Sequence, residues 1–294
     1  MKYGDFMTKL VQIPDGLKRK ALEIADEIGD AFIDCESCYG GCDLATQRAK
    51  ALGCEKIVHY GHSKFIESDM PVEYVEIRED YNPRQVLEKD FNKLDGNKIG
   101  LVSSLQFLES LQTAKKYLEK RGKKAFIGKG KFKEGQTLGC DISSALSIEK
   151  NVDSFLFIGS GRFHALGLLL KTKKPVFVLD VEKNDIYNIK GMEGDFLKQR
   201  YVAQALAKDA KRFGILVSVK PGQLNLKLAE KIRKQVINKN KKAYILVFDE
   251  IKPEKLEGLD LDCYINTACP RIAIEDRTKF KKPILNPDEI EKFI

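Results

Sequence analysis

The chain lacks the features that would place it in or across a membrane. No apolar run approaches the roughly 18 residues of a membrane-spanning helix. Its first 17 residues contain neither the apolar core nor the small-residue cleavage site of a secretory signal. We therefore expect a cytoplasmic protein. Thiols stay reduced in that compartment, so the seven cysteines are weak evidence for disulfides.

The chain also lacks the aromatic pattern by which single-strand-binding proteins stack bases. Its 51 basic and 43 acidic residues give a formal charge of +8. This lysine-rich surface is either simply solvated or a docking face for an acidic or ribonucleoprotein partner. We expect no direct nucleic-acid ligand.

Short apolar runs rich in Val, Ile and Phe alternate with longer helical patterns along the whole chain. The runs show no polar alternation, which is typical of parallel sheets covered by helices on both faces. The predicted strands are residues 30–34, 55–60, 74–77, 98–103, 124–127, 154–159, 175–179, 214–219, 243–248 and 262–266. The predicted helices are residues 17–28, 83–94, 105–120, 195–213 and 224–238.

Three cysteines, Cys42, Cys140 and Cys269, occur in dissimilar motifs in the three thirds of the chain, each beside a predicted strand. Three converging thiolates can hold three irons of a 4Fe–4S cluster and leave the fourth iron open for a substrate. Helices predicted just after Cys42 and Cys140 would lower the pKa of these thiols. Asp43 and Asp141 stand where a helix-capping acid is favoured.

An internal similarity indicates three related units. Residues 41–45 (Gly-Cys-Asp-Leu-Ala) and 139–143 (Gly-Cys-Asp-Ile-Ser) each precede a predicted strand that ends in a glycine turn. The predicted fold class is therefore α/β, with three related units of small, mostly parallel sheets flanked by helices around a central iron–sulfur site. We place these units at residues 1–97, 98–194 and 195–294.

Other readings of the cysteines stay open at this point. Cys35, Cys38 and Cys42 are spaced as a compact local set, which could be a metal knuckle or half of a zinc site. No second pair completes a zinc ribbon. Cys54 and Cys263 begin apolar strands and are most simply buried hydrophobic residues.

Five ordered motifs resemble those of the diphthamide synthesis family, especially its archaeal members. They are residues 39–42 with 57–63, 136–140, 159–167, 217–223 and 266–274. The resemblance implies that Cys42, Cys140 and Cys269 are the cluster ligands and that Cys35 and Cys38 are not. It also implies a homodimer, whereas eukaryotes use two paralogous subunits.

The resemblance implies a non-standard radical S-adenosylmethionine enzyme. Such an enzyme transfers the 3-amino-3-carboxypropyl group to a histidine of translation elongation factor 2, the first step of diphthamide formation. Elongation factor 2 and an electron donor are then the expected partners. A quinolinate synthase-like 4Fe–4S dehydratase is the alternative enzyme. A zinc- or RNA-binding module is the alternative outside enzymes.

Several residues are candidates for holding S-adenosylmethionine. Gly159, Ser160 and Gly161 follow a strand, so their free N–H groups suit a carboxylate or ribose, although a simple tight turn is also consistent. Arg271, two residues after the third cysteine, could clamp a carboxylate. Gln223 could bind the amino-acid part or close a turn.

The chain has three histidines. His62 and His164 lie beside glycine turns at strand ends and are the candidate general bases for the substrate imidazole. His59 lies within a strand and is predicted to be a hydrogen-bonded core residue. The loop of residues 128–139 is a lid, a docking loop or an ordinary solvated loop.

Overall fold

A computed structural model describes residues 8–290 of the chain. The residues fall into two compact units, one running up to Arg78 together with Lys220–Gly222, the other comprising Glu79–Val219 and the residues from Gln223 onward. The described strands form three sheets, which confirms the predicted α/β class.

The first unit contains a four-stranded parallel sheet in the order β2-β1-β3-β4. Its elements are β1 (Lys9–Gln12), α1 (Ala21–Ile28), β2 (Ala31–Asp34), α2 (Thr46–Ala51), β3 (Lys56–Tyr60) and β4 (Val72–Val75).

Successive residues of β1 bury opposite faces of this sheet. Leu10 packs with Ala49 of α2, whereas Val11 packs with Ile24 of α1. Burying each such aliphatic side chain contributes about 1.5–3 kcal/mol relative to leaving it exposed. Helices therefore cover both faces of the sheet. The carboxyl ends of its strands carry loops, among them the loop with Cys42 after β2.

The second unit contains the other two sheets, ordered β6-β5-β7-β8-β9 and β11-β10-β12-β13. Among the described strand pairs only β8 and β9 run antiparallel. The strands are β5 (Lys98–Ser103), β6 (Lys124–Ile127), β7 (Ser154–Gly159), β8 (Val176–Asp180), β9 (Asp185–Asn188), β10 (Arg212–Ser218), β11 (Lys242–Phe248), β12 (Cys263–Asn266) and β13 (Ile284–Leu285). The helices are α3 (Arg84–Asp90), α4 (Ser110–Lys120), α5 (Ser143–Leu146), α6 (Phe163–Lys171), α7 (Glu193–Asp209), α8 (Leu226–Asn238), α9 (Arg271–Ile274) and α10 (Pro287–Ile290).

Three strands were absent from the predicted set, namely β1, β9 and β13. Each has four residues or fewer, too short to show a period, and tertiary pairing decides their state. The helix predicted over 195–213 ends at Asp209, because Phe213 is fully buried in the strand that begins at Arg212. The helix predicted over 105–120 begins as a 3-10 turn, and the α-helix itself starts at Ser110.

Each of the three units predicted from the sequence contains one sheet. The two boundaries between these units, at residues 97 and 194, stay predictions. Among the described residues, no helix has both the length and the apolar character needed to cross a bilayer.

Candidate functional site

The loop that carries Cys42 lies beyond the carboxyl end of β2, in the first unit. Residues Lys220–Gly222 belong to this unit and hold the loop. Gly222 N–H donates to Cys42 O at 2.8 Å, and a Cβ at Gly222 would lie 2.6–2.7 Å from the Cα, Cβ and O of Cys42. Only glycine permits this approach.

A buried ion pair fixes the same loop. Lys220 Nζ lies 2.5 Å from Asp43 Oδ2 and 5.3 Å from the centre of the Tyr39 ring, and the Tyr39 N–H donates to the same carboxylate. The Asp43 side chain is 4% exposed. The capping role predicted for Asp43 is therefore wrong, because α2 begins at Thr46 and has no side-chain cap. The predicted helix directly after Cys42 is likewise absent.

Asp141 does bind the start of a helix. Its Oδ1 accepts from the N–H and the hydroxyl of Ser143, the first residue of α5, at 3.1 and 2.6 Å. This helix has only four residues, so its dipole is small.

A hydrogen-bonded chain runs behind the Cys42 loop. Gln12, fully buried at the end of β1, donates from Nε2 to Asp43 O at 2.6 Å. Its Oε1 accepts from Ala45 N–H at 3.2 Å and lies 2.9 Å from His59 Nδ1. His59 Nε2 in turn lies 3.0 Å from His62 Nδ1. The predicted core role of His59 is confirmed.

The local cysteine knuckle predicted as an alternative does not form among the described residues. Cys38 is 4% exposed and groups instead with His59 and His62, the three ligand atoms all lying within 4.8 Å of one another. Cys35 is exposed. Burial, followed by the nearby Asp43 charge, raises the pKa of Cys38 to about 12.

In the second unit, the Cys140 loop rests on the start of α6. Gly139 N–H donates to His164 Nδ1 at 3.0 Å. A Cβ at Gly139 would lie 2.3 Å from the Phe163 ring, and one at Gly167 would lie 2.5 Å from Gly139 O. The residue before the cysteine is glycine because an aromatic ring and a helix backbone crowd it.

Residues Gly159, Ser160 and Gly161 turn the chain between β7 and α6, with φ of 72° at Gly161. A cavity of about 470 Å³ opens there, lined by Glu79, Asp80, Tyr81, Ser104, Gln106, Phe107, Ser160, His164 and Val181. The cavity lies beyond the carboxyl ends of β5 and β7, which are neighbours in the sheet. The chain continues from β5 to β6 on one side and from β7 to β8 on the other side. Ligands of open α/β sheets bind at such switch points.

Cys269 follows β12 in the second unit, and a buried polar residue positions its loop. Asn266 Nδ2 donates to Cys269 O and to Asn286 Oδ1, both at 2.9 Å. Arg271 follows at the start of α9, where its side chain is 49% exposed and pairs with Glu275 at 2.7 Å. The Arg271 guanidinium also lies 5.8 Å from the centre of the Phe163 ring.

Comparisons with known proteins agree with this architecture. The model of the family of diphthamide synthesis proteins matches residues 13–294. The 2-(3-amino-3-carboxypropyl)histidine synthase of Pyrococcus horikoshii is 34% identical, over 96% of this chain and 84% of the relative. The chain belongs to the diphthamide synthesis family.

Other family members are similar along most of this chain. The synthase of Methanocaldococcus jannaschii is 29% identical over 97% of this chain and 84% of its own length. Subunit 1 of the Caenorhabditis elegans synthase is 29% identical over 95% of this chain and 74% of its own. The crystal structure of Dph2 from Pyrococcus horikoshii with a 4Fe-4S cluster has a TM-score of 0.90 at 33% identity, covering 98% of this chain and 86% of that one.

Several candidates in this diphthamide synthesis family member meet in the second unit. Gly139, in the Cys140 loop, donates to His164, which lines the cavity together with Ser160. Arg271 lies over the ring of Phe163, which also packs against Gly139. Gln223 is half-buried ahead of α8. Cys54 and Cys263 are buried in the core, as predicted.

Three supports of the cysteine loops were not predicted from the sequence, namely Gln12, Lys220 and Asn266. Gln12 and Asn266 end their strands, and a polar residue at the last position of an otherwise apolar run is the signal that could have found them.

We expect His164 to make the protein acid-sensitive. Burial, then the Arg271 charge, lowers the pKa of His164 from 6.5 to about 4. The unfolded chain takes up this proton near pH 6.5. The stabilisation is therefore complete above that pH and is lost as the pH falls towards 4. Between pH 7 and 5 the wild type should lose about 1–2 kcal/mol more unfolding free energy in urea than His164→Gln. Equal losses would contradict the assignment.

Proposed function

We propose that this protein transfers the 3-amino-3-carboxypropyl group of S-adenosylmethionine to a histidine of translation elongation factor 2. The observation that carries the proposal is family membership along nearly the whole chain, with archaeal relatives named for this synthase activity. Family membership favours this transferase over the dehydratase alternative.

We propose Cys42, Cys140 and Cys269 as ligands of a 4Fe–4S cluster. All three are half-buried in loops after strands. Cys54 and Cys263 are unsuited, because they lie in the hydrophobic cores. When bound, the cluster would supply the electron that breaks the carbon–sulfur bond of the cosubstrate. The glycine contacts and the Asp43–Lys220 pair would hold the Cys42 loop for this purpose.

We propose the cavity beside Ser160 as part of the S-adenosylmethionine site. Its volume suits a ligand of this class. The carboxylates of Glu79 and Asp80 line it and would attract the sulfonium and ammonium charges. The turn N–H groups of Gly159 to Gly161 and the Arg271 guanidinium suit the carboxylate. Arg271 would have to leave Glu275 to do so, and Gln223 remains a proposed contact to the amino-acid part.

We propose His62 or His164 as the general base that accepts the proton from the substrate imidazole. Burial lowers the pKa of each to about 4, so both rings are neutral near pH 7. In His164, Nδ1 accepts from Gly139, so the neutral ring carries its proton on Nε2. This tautomer suits His164 for donating a hydrogen bond to the ligand, whereas its lone pair is already taken by Gly139, which favours His62 as the base.

We propose a homodimer in the cytoplasm, served by an electron donor, with elongation factor 2 as protein substrate. The archaeal relatives carry a single name, whereas the eukaryotic relatives are named as subunit 1. This difference supports a self-paired archaeal form.

The deciding experiment is anaerobic incubation of reconstituted protein with S-adenosylmethionine and dithionite, followed by mass spectrometry. We expect methylthioadenosine, with homocysteine sulfinate or 2-aminobutyrate, from the wild type and from the exposed-thiol control Cys35→Ala. Cys140→Ala should yield none. Deoxyadenosine would indicate ordinary radical chemistry. An intact cluster without cleavage would favour the dehydratase.

A further inference from the structure

Cys38 and His59 have no role in the proposed reaction, and His62 is one of its two candidate general bases. We propose that these three residues form a second metal site, which binds one Zn²⁺ through one thiolate and two imidazoles. One position is then left for water. The proposal does not depend on the proposed cluster, because none of these residues is among its ligands, but a zinc ion bound to His62 would remove that ring from the role of general base.

The hydrogen bonds around Gln12 prepare His59 as a ligand. The Asp43 carbonyl can only accept and the Ala45 N–H can only donate, which fixes the orientation of the Gln12 amide. Its Oε1 therefore faces His59 Nδ1, which must carry the ring proton. The lone pair of His59 is thereby placed on Nε2, the atom that faces His62. Metal-binding histidines are held in this way by a partner on the other ring nitrogen.

The spacing of the donor atoms suits a single small cation. A tetrahedral zinc with bonds of about 2.0–2.1 Å to nitrogen places two such atoms about 3.3 Å apart. His59 Nε2 and His62 Nδ1 are 3.0 Å apart. Zinc–sulfur bonds of about 2.3 Å place a thiolate about 3.6 Å from each nitrogen. All three ligand atoms already lie within 4.8 Å of one another, so small side-chain movements suffice.

The chemistry of the donors favours zinc over the hard cations. One thiolate with two imidazoles is a soft to borderline set, unlike the oxygen ligands that calcium and magnesium require. Cys38 lies in the loop after β2, four residues before Cys42. The bound ion would therefore tie this loop to the end of β3, where His59 and His62 lie.

The test uses the full chain with Cys42, Cys140 and Cys269 replaced by Ser, so that no cluster forms. After removal of metals, Co²⁺ is added as a spectroscopic probe and then displaced by Zn²⁺. We expect one Co²⁺ per chain, with visible bands of a tetrahedral site and a thiolate charge-transfer band. Zinc should also raise the thermal unfolding midpoint.

Cys38→Ser added to this background should abolish the charge-transfer band and the zinc-dependent rise of the midpoint. His62→Gln should weaken binding as well and serves if the first variant folds poorly. Cys35→Ser, three residues away and exposed, is the matched control and should bind normally. Gln12→Met removes the acceptor for His59 Nδ1 and should bind about 10–100-fold more weakly.

Three results would overturn the proposal. They are no binding by the background protein, binding that survives Cys38→Ser and His62→Gln, and equal loss with Cys35→Ser. The last would place the metal on a local cysteine knuckle. None of these outcomes depends on cosubstrate cleavage, so they leave the proposed transferase untouched.

Discussion

Gly222→Ala is expected to leave a folded protein that no longer assembles its cluster. The added Cβ would meet Cys42 at 2.6–2.7 Å, and two of the three atoms involved are backbone atoms, which cannot rotate away. Either the loop of Lys220–Gly222 or the Cys42 loop must then shift, and the 2.8 Å bond from Gly222 N–H to Cys42 O is lost. Overpacking of this kind costs about 1–3 kcal/mol.

The measurement is iron and sulfide per chain after anaerobic reconstitution, together with the urea unfolding midpoint. Gly16→Ala is the matched control, because it lies in the same unit, has no positive φ and has nothing within 4 Å of an added Cβ. It should load iron as the wild type does. Full iron loading in Gly222→Ala would show that the geometry of this contact does not position the Cys42 thiolate.

Gly222 also marks the limit of what the sequence could predict. Motif order was sufficient to identify the family, and apolar runs without alternation were sufficient for the α/β class and for most strands. The segment of residues 217–223 was recognised as a motif, yet only Gln223 within it was given a role. The role of Gly222 depends on a contact with Cys42, 180 positions earlier in the chain, and no local pattern encodes such a pairing.

The same limit explains the error at Asp43. An acid after a cysteine and before a helix is a good local signal for a cap, and Asp141 does accept from the N–H of Ser143 at the start of α5, although the N-cap residue itself is Ile142. At Asp43, an ammonium group from a distant loop competes for the carboxylate, and a charge-assisted bond in a buried place outweighs a capping bond. Cys38 was likewise judged by its sequence neighbours, although its spatial neighbours are two histidines of another strand end.

Lys220→Met is expected to destabilise the first unit by about 3–5 kcal/mol, because it leaves a buried carboxylate without its partner. The Lys220 and Asp43 side chains are 15% and 4% exposed, so solvent cannot replace the lost ammonium. The contact of Lys220 with the Tyr39 ring is lost as well. Urea unfolding at pH 7 measures the effect. The exposed pair of Lys64 and Glu67 supplies the control, because Lys64→Met should change stability by less than about 1 kcal/mol.

A double-mutant cycle separates the ion pair from the loss of packing. Asp43→Asn keeps the side-chain oxygen that accepts from Tyr39 N–H but removes the charge. Combined with Lys220→Met, it should recover much of the stability lost in Lys220→Met alone, because no buried charge then remains unpaired. If the two losses instead simply add, the pair is not coupled. The Cys42 loop would then be held by the Gly222 contact and the Gln12 hydrogen bonds alone.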